Sequence, residues 1–245
     1  MPSMLKSLKK MISTSFRTTI KGAYLRVFDR YSYRAHLDYR YTDEHLKFVH
    51  ILEAINYTHI AEIPAVYFEF GCHSGRTFSA AVRAARYLKM NDAQFFAFDS
   101  FQGLPETNHA EDGYFKSGTF ATGADEFVRL VLRFSGLSMD RKNIIGGFYE
   151  KSLTPELQAN MPKAGVIHID VDLYSSTVEV LRFIKPLMVI GTVLVFDDWY
   201  CFPPGTNKGE ARALKEFCLE NPSFSVEEWK TYSTFGKSFF VTSLP

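Results

Sequence analysis

No stretch of the 245 residues approaches the ~18 consecutive apolar side chains that a membrane-spanning helix needs. Cysteine is scarce: Cys72, Cys201 and Cys218 are odd in number, far apart and without a CxxC pair. That excludes a disulfide framework and a cysteine-based zinc site, and it suits a reducing compartment, so a cytoplasmic location is expected. No period repeats along the chain, which removes solenoids, coiled coils and collagen. Neither GxGxxG nor GxxxxGK[ST] occurs, so the dinucleotide fingerprint and the P-loop are both missing. Charge of one sign is lacking too: 28 basic against 27 acidic side chains give +1, without the basic excess of a nucleic-acid-binding domain. What is present is a 46% hydrophobic composition, enough to bury a sizeable core and incompatible with disorder.

The balanced total hides an asymmetry. Residues 1–42 carry nine Lys/Arg against Asp29 and Asp38, a local +7, which leaves the remainder at −6. Leu5, Leu8, Ile12, Phe16, Ile20, Tyr24 and Val27 recur at three- and four-residue steps and predict a basic amphipathic helix. An arm packed on its own or a neighbouring subunit is the expectation, and with it a homo-oligomer. A helix lying on an anionic membrane surface is the second reading, a transit peptide the third. Residues 1–60 are therefore assigned to a basic helical arm or lid and 61–245 to a single domain without linkers.

Beyond a helix expected over Asp43–Thr58 the pattern changes. Short apolar runs at 65–70, 94–98, 143–145, 165–169 and 192–196 alternate with helical stretches near 77–89, 125–135, 175–184 and 208–219. Strand–helix alternation with nearly continuous apolar strands predicts a parallel sheet covered on both faces. The last two runs, 224–230 and 238–242, are joined too closely for a parallel crossover and should pair antiparallel. The expected fold is α/β and Rossmann-like: seven strands, mostly parallel, with an antiparallel C-terminal hairpin.

Ligands of such sheets sit beyond the carboxyl ends of the strands. The first run ends Phe68-Glu69-Phe70-Gly71-Cys72-His73-Ser74-Gly75-Arg76-Thr77. Gly71 and Gly75 permit a tight turn and close backbone approach, and Glu69 beside them would repel a pyrophosphate but suit a cation. The second run ends in Asp99, an acid able to accept ribose hydroxyls or merely to cap a turn. Together they describe a nucleoside site without a phosphate cradle, and S-adenosylmethionine fits that description. His73 and Thr77 could touch its methionine end or only start a helix. Gly147 and Phe148, after the third run, could flank its adenine.

The fourth run leads into Asp170-Val171-Asp172 and the fifth into Asp197-Asp198. On adjacent parallel strands Asp170, Asp197 and Asp198 would meet at one sheet edge. Clustered carboxylates repel unless protonated or neutralised, and hard oxygen donors in this number favour Mg²⁺, with Mn²⁺ or Ca²⁺ as alternatives. Helix capping and loop hydrogen bonding are the bland reading of the same acids. Asp172 is the less secure ligand. Trp199–Pro204 is the expected wall of a substrate pocket, and His109 a weaker candidate base than Asp170.

These motifs carry a resemblance. Phe68–Gly75 is similar to the first motif of class I methyltransferases, and Phe98-Asp99-Ser100-Phe101-Gln102-Gly103-Leu104-Pro105-Glu106 resembles the FDSFxGLPE stretch of the macrocin and mycinamicin sugar O-methyltransferases. DVDLYSST and GTVLVFDDWY resemble the acidic motifs of the same family. The resemblance implies Asp170, Asp197 and Asp198 as Mg²⁺ ligands, Asp170 as general base, and Ser100 beside Asp99 at the S-adenosylmethionine site. Catechol O-methyltransferase is more distant: it has Asn where Asp198 stands and a catalytic Lys where Leu173 stands.

The expected activity is Mg²⁺-dependent methyl transfer from S-adenosylmethionine to a hydroxyl of a sugar or other vicinal diol, on a small molecule or glycoconjugate. Asp170-Val171-Asp172 also matches a glycosyltransferase DxD motif, and a non-catalytic interaction module on a methyltransferase fold is a third reading. The start of an aspartyl phosphotransferase motif fits less well, because Tyr174 stands where Thr or Val belongs.

Overall fold

A computed structural model describes residues 39–106, 115–203 and 207–244, with side chains from Asp43 onward. The basic stripe of residues 5–27, with its membrane-surface and oligomer readings, and His109 lie outside the described residues. The chain divides into two units at His45/Leu46, within helix α1 (Tyr39–Ile60), and the sheet with its helices belongs to the second. Ile51, Ala54 and Ile55 of α1, in the segment assigned to the arm, are buried in a cluster with Tyr67, Val166, Val193 and Val195 of the sheet. This part of the helix therefore shares the core. No described helix is long and apolar enough to cross a membrane.

Seven strands form one sheet: β1 (Val66–Phe70), β2 (Gln94–Asp99), β3 (Ile144–Gly146), β4 (Val166–Ile169), β5 (Val193–Phe196), β6 (Ser225–Thr231) and β7 (Lys237–Ser243). Their order is β3-β2-β1-β4-β5-β7-β6. The first five run parallel, whereas β7 pairs antiparallel with both β5 and β6. Every residue of β1, β4 and β5 is buried, the signature of strands covered on both faces. The expected α/β architecture and C-terminal hairpin are thus both present.

Helices α2 (Arg76–Tyr87), α3 (Ala124–Ser135), α6 (Tyr174–Ile184) and α7 (Gly209–Glu220) match the periodic stretches of the sequence to within two residues at each end. Two short helices, α4 (Tyr149–Ser152) and α5 (Pro155–Ala159), have no counterpart in the sequence pattern. They are too short to show a period. α5 begins on local chemistry instead, with the Thr154 hydroxyl accepting from the Leu157 N–H at 3.2 Å and Pro155 in the first turn.

The connections run outward from β1 toward β2 and β3, and from β4 toward β5. The direction therefore reverses between β1 and β4, opening a crevice above their carboxyl ends. Register then decides what meets there. Phe70 pairs with both Phe98 and Ile169, and Ile169 pairs with Phe196. The next residue on each strand is Asp99 on β2, Gly71 after β1, Asp170 after β4 and Asp197 after β5. Four tips thus stand in one row, separated by the ~4.8 Å strand spacing.

At the opposite end of the sheet, Gly165 N donates to Val66 O at 2.9 Å, and a Cβ on Gly165 would lie 2.1 Å from the Pro64 carbonyl oxygen. Neither backbone can yield without breaking the start of the β1–β4 ladder. Gly165→Ala is expected to lose about 3 kcal/mol of stability in urea denaturation, although it lies far from the crevice. A loss below about 0.5 kcal/mol would show that this approach is not tight.

Candidate active site

The crevice is a cavity of about 300 Å³ with two chemically distinct ends. At one end lie Gly71, His73, Asp99, Ser100, Gly147 and Phe148. At the other lie Asp170, Asp172, Asp197 and Asp198, joined by Lys47 from α1. Leu104, Pro105, Phe120 and Tyr149 form much of the apolar lining.

Gly71 holds the two ends together. Its φ is +80°, and a Cβ there would stand 1.7 Å from the Asp170 carbonyl oxygen. Only glycine lets the β1 turn pass this close to the β4 tip. Asp99 fastens the same turn from the other side. Its Oδ2 accepts from Cys72 N at 2.7 Å and His73 N at 2.9 Å, and its Oδ1 accepts from Phe101 N at 2.7 Å. Three of roughly four acceptor positions on this carboxylate are therefore used by backbone. The expectation that Asp99 serves a ribose with both oxygens is narrowed accordingly: it is first the anchor of the turn, with one acceptor position remaining. Ser100 Oγ donates to Gly103 O at 2.7 Å and shapes the following loop. His73 sits at φ +40° with Nδ1 2.8 Å from the Thr122 hydroxyl.

Three residues expected at the cofactor do not reach the cavity. Gly75 is the cap of α2, at φ +71°, and packs under Val131 and Phe127 of α3. Thr77 lies in the first turn of α2 away from the lining. Glu69 points beneath the sheet end, 1% exposed, where it accepts from the Tyr67 hydroxyl at 2.5 Å and faces His168 Nδ1 at 3.6 Å. Trp199 is not a pocket wall either. It packs against Phe196 and Phe239, because the chain turns back toward the core directly after Asp198.

The acidic end is balanced unequally. Asp197 is 3% exposed, and its Oδ2 accepts from Lys47 Nζ at 2.5 Å while Oδ1 accepts from the Tyr232 hydroxyl at 2.9 Å. His168 Nε2 lies 3.9 Å from the same Oδ1. Burial alone would raise this carboxyl, but the bond to His168 and the Lys47 charge outweigh it and hold the pKa down at about 2. His168 is likewise opposed by burial, yet Asp197 and Glu69 on its two sides carry it up to about 10. At 3.6 and 3.9 Å these are ion-pair separations rather than tight hydrogen bonds, so the imidazolium bridges two buried anions by charge.

No such pairing serves the neighbours. Burial, then the charges of Asp197 and Asp198, pushes Asp170 well above the usual carboxylate range. Burial and the adjoining acids raise Asp172 and Asp198 each to about 7. Asp198 Oδ1 accepts from Cys201 Sγ at 3.0 Å, whereas its buried Oδ2 has no hydrogen-bond partner among the described residues. Behind it, Glu210 of α7 is fully buried and accepts from Asp198 N at 2.9 Å.

This donor set fits a divalent cation. Ligand oxygens of Asp170 and Asp197 lie within 4.8 Å of each other and of a His168 nitrogen, and these carboxylate donors are hard. His168, as an imidazolium, adds charge rather than a lone pair, and Asp198 lines the same cavity outside that 4.8 Å group. Sequence reasoning found the aspartates because each follows directly on an apolar run. It missed Lys47, which sits in a helix 150 residues away from its partner, and it gave His168 no part in the site.

Two substitutions test the geometry. Asp99→Asn turns an N–H donor toward backbone N–H groups and should cost about 2 kcal/mol in urea denaturation. His168→Gln leaves Glu69 and Asp197 buried without their shared cation and should cost about 3–5 kcal/mol. If either variant matches the parent in stability, the corresponding contact does not carry the role given to it.

Known proteins resemble this chain in sequence and in fold. The family model described as macrocin O-methyltransferase (TylF) matches residues 43–229. Demethyldecarbamoylnovobiocin O-methyltransferase of Streptomyces niveus is 27% identical over 123 residues, covering 47% of this chain and 45% of its own length. That match thus spans less than half of the relative. Among solved structures, the O-methyltransferase NovP superposes with a TM-score of 0.69 at 21% identity, with 80% of each chain covered. CalS11, a calicheamicin methyltransferase, gives 0.63 at 17% identity over 79% of this chain and 77% of that one. The two structures carry the same fold, and the family model covers most of the chain, including both ends of the cavity: the protein belongs to the macrocin O-methyltransferase family.

Proposed function

We propose that the chain is an S-adenosylmethionine-dependent O-methyltransferase that methylates a hydroxyl of a sugar or other vicinal diol, on a small molecule or glycoconjugate, with a divalent cation at Asp170, Asp197 and Asp198. One observation carries this reading. A single cavity joins a glycine turn anchored by an acid to a cluster of aspartates, so a nucleoside-bearing donor and a polyhydroxylated acceptor have chemically separate places within reach of each other. The family match favours it over the DxD glycosyltransferase alternative.

In the overall reaction the donor's S–CH₃ bond breaks, an O–CH₃ bond forms, the sulfonium becomes a neutral thioether and the hydroxyl proton leaves. When bound, the cofactor brings an electrophilic methyl and the cation lowers the pKa of a hydroxyl beside it. The chain's own residues do the remainder. Gly71 leaves room for close approach at the β1 turn. Asp99 offers its one remaining acceptor position to a hydroxyl of the donor, with Ser100, Gly147 and Phe148 around it. Asp170 takes the acceptor's proton; burial and the neighbouring acids raise its carboxyl above the usual carboxylate range, which makes its carboxylate the stronger base. Leu104 and Pro105 shield the cavity from water, and Glu69 acts through His168 rather than by contact.

The double variant Asp197→Ala/Asp198→Ala should lose at least about 100-fold in turnover on a panel of glycosides and vicinal diols. Its affinity for S-adenosylhomocysteine, measured by calorimetry, should stay within about threefold of the parent. Full turnover by this variant in the presence of chelator would discard the cation. Absence of S-adenosylhomocysteine binding by the parent protein would discard the methyl donor.

A further inference from the structure

Lys47 is a cation already seated among the acids to which the divalent ion is assigned. Its ammonium lies 2.5 Å from Asp197 Oδ2 and lines the cavity together with Asp170, Asp172 and Asp198. The side chain is 23% exposed, so it reaches the acids from α1 without being locked in the core. His168, the other cation at this end, is 1% exposed and sits beneath the tips between Glu69 and Asp197, where it cannot leave. The two differ in what they can do. His168 compensates Asp197 permanently, whereas Lys47 is held on a flexible four-carbon stem and is able to withdraw.

We propose that Lys47 is a tethered counter-cation that neutralises Asp197 while the site is empty and gives up that carboxylate when a divalent ion enters. The inference rests on the cation reading of Asp170, Asp197 and Asp198. Its physical basis is mutual exclusion. An ammonium at hydrogen-bond distance occupies Oδ2 of Asp197, a residue of the cavity lining whose Oδ1 is already taken by Tyr232, and two cations cannot share that oxygen without strong repulsion. Lys47 therefore weakens cation binding and preserves the empty site from the repulsion of its own acids. Because Lys47 belongs to α1, its release also ties cation loading to a contact between that helix and the sheet end. It is a positioning residue: it acts on Asp197, not on the reacting atoms.

The test uses the full chain and Mn²⁺ as the probe, with S-adenosylhomocysteine present. Lys47→Met should bind Mn²⁺ roughly tenfold more tightly in calorimetric titration. It should also melt at lower temperature than the parent in EDTA, with a larger upward shift on adding Mn²⁺. Lys47→Arg, which keeps the charge, should bind Mn²⁺ within about threefold of the parent. A measurement independent of any variant is acetylation of Lys47 by an amine-reactive reagent, read by mass spectrometry, which should rise when Mn²⁺ is added to the parent. Unchanged or weaker Mn²⁺ binding by Lys47→Met, or Lys47 labelling that does not rise, overturns this inference while leaving the cation site in place. No Mn²⁺ binding by either the parent or Lys47→Met overturns both.

Discussion

Crowding of like charge at the ends of parallel strands is the constraint on which the remainder of this structure turns. Adjacent tips are only ~4.8 Å apart, and Asp170 and Asp197 occupy neighbouring tips with Asp172 and Asp198 just beyond. Removed from water, such carboxylates cannot all be ionised without compensation. The fold compensates one of them. Asp197 receives Lys47, His168 and the Tyr232 hydroxyl, and its carboxyl is held near 2, while Asp170 and Asp198 are driven upward. The asymmetry separates one acid that is always charged from others whose charge awaits a partner.

The same crowding explains why the cavity needs its glycine. Bringing a nucleoside end against an acidic end requires the β1 turn and the β4 tip to pass almost in contact, and Gly71 permits this by having no Cβ beside the Asp170 carbonyl. Asp99 then spends most of its acceptor capacity on the turn's N–H groups. A charged acceptor makes stronger bonds to backbone N–H than a neutral one, so an acid at this tip is explained by the turn even before any ligand is considered.

Much of this was legible in the sequence, for a specific reason. Apolar runs stop where strands leave the core, so the next residues mark the strand ends, and Asp99, Asp170 and Asp197 each stand there. The antiparallel ending was readable from the short connection between 230 and 238. What escaped was whatever depends on facing and on distant packing. Glu69 shares a sheet face with Tyr67, two residues earlier, and pairs in register with His168, which turns it below the sheet end; the period-two pattern held that information, but the nearby glycines suggested a ligand instead. Lys47 had no signal at all, since nothing within α1 identifies which lysine will meet an aspartate 150 residues away. Trp199 follows an acidic pair yet returns to the core, because a pattern of aromatics does not say which way a loop bends.

Glu210 shows how far the compensation extends. It is a fully buried carboxyl directly behind Asp198, pushed well above its usual range by burial first and by Asp198 and Asp197 next. Were it charged, it would add a further anion to a region where Glu69, Asp170, Asp172, Asp197 and Asp198 already face only Lys47 and His168 among the described residues. Its Oε2 accepts the Asp198 N–H and fixes the backbone of that residue, while its Oε1 is buried without a hydrogen-bond partner among the described residues. The sheet end therefore combines an anchored charged acid, a buried carboxyl acting as a backbone clamp, and acids of intermediate character between them. The negative charge that remains lies on the cavity side, within reach of an incoming cation, while the buried side is balanced by the protein itself.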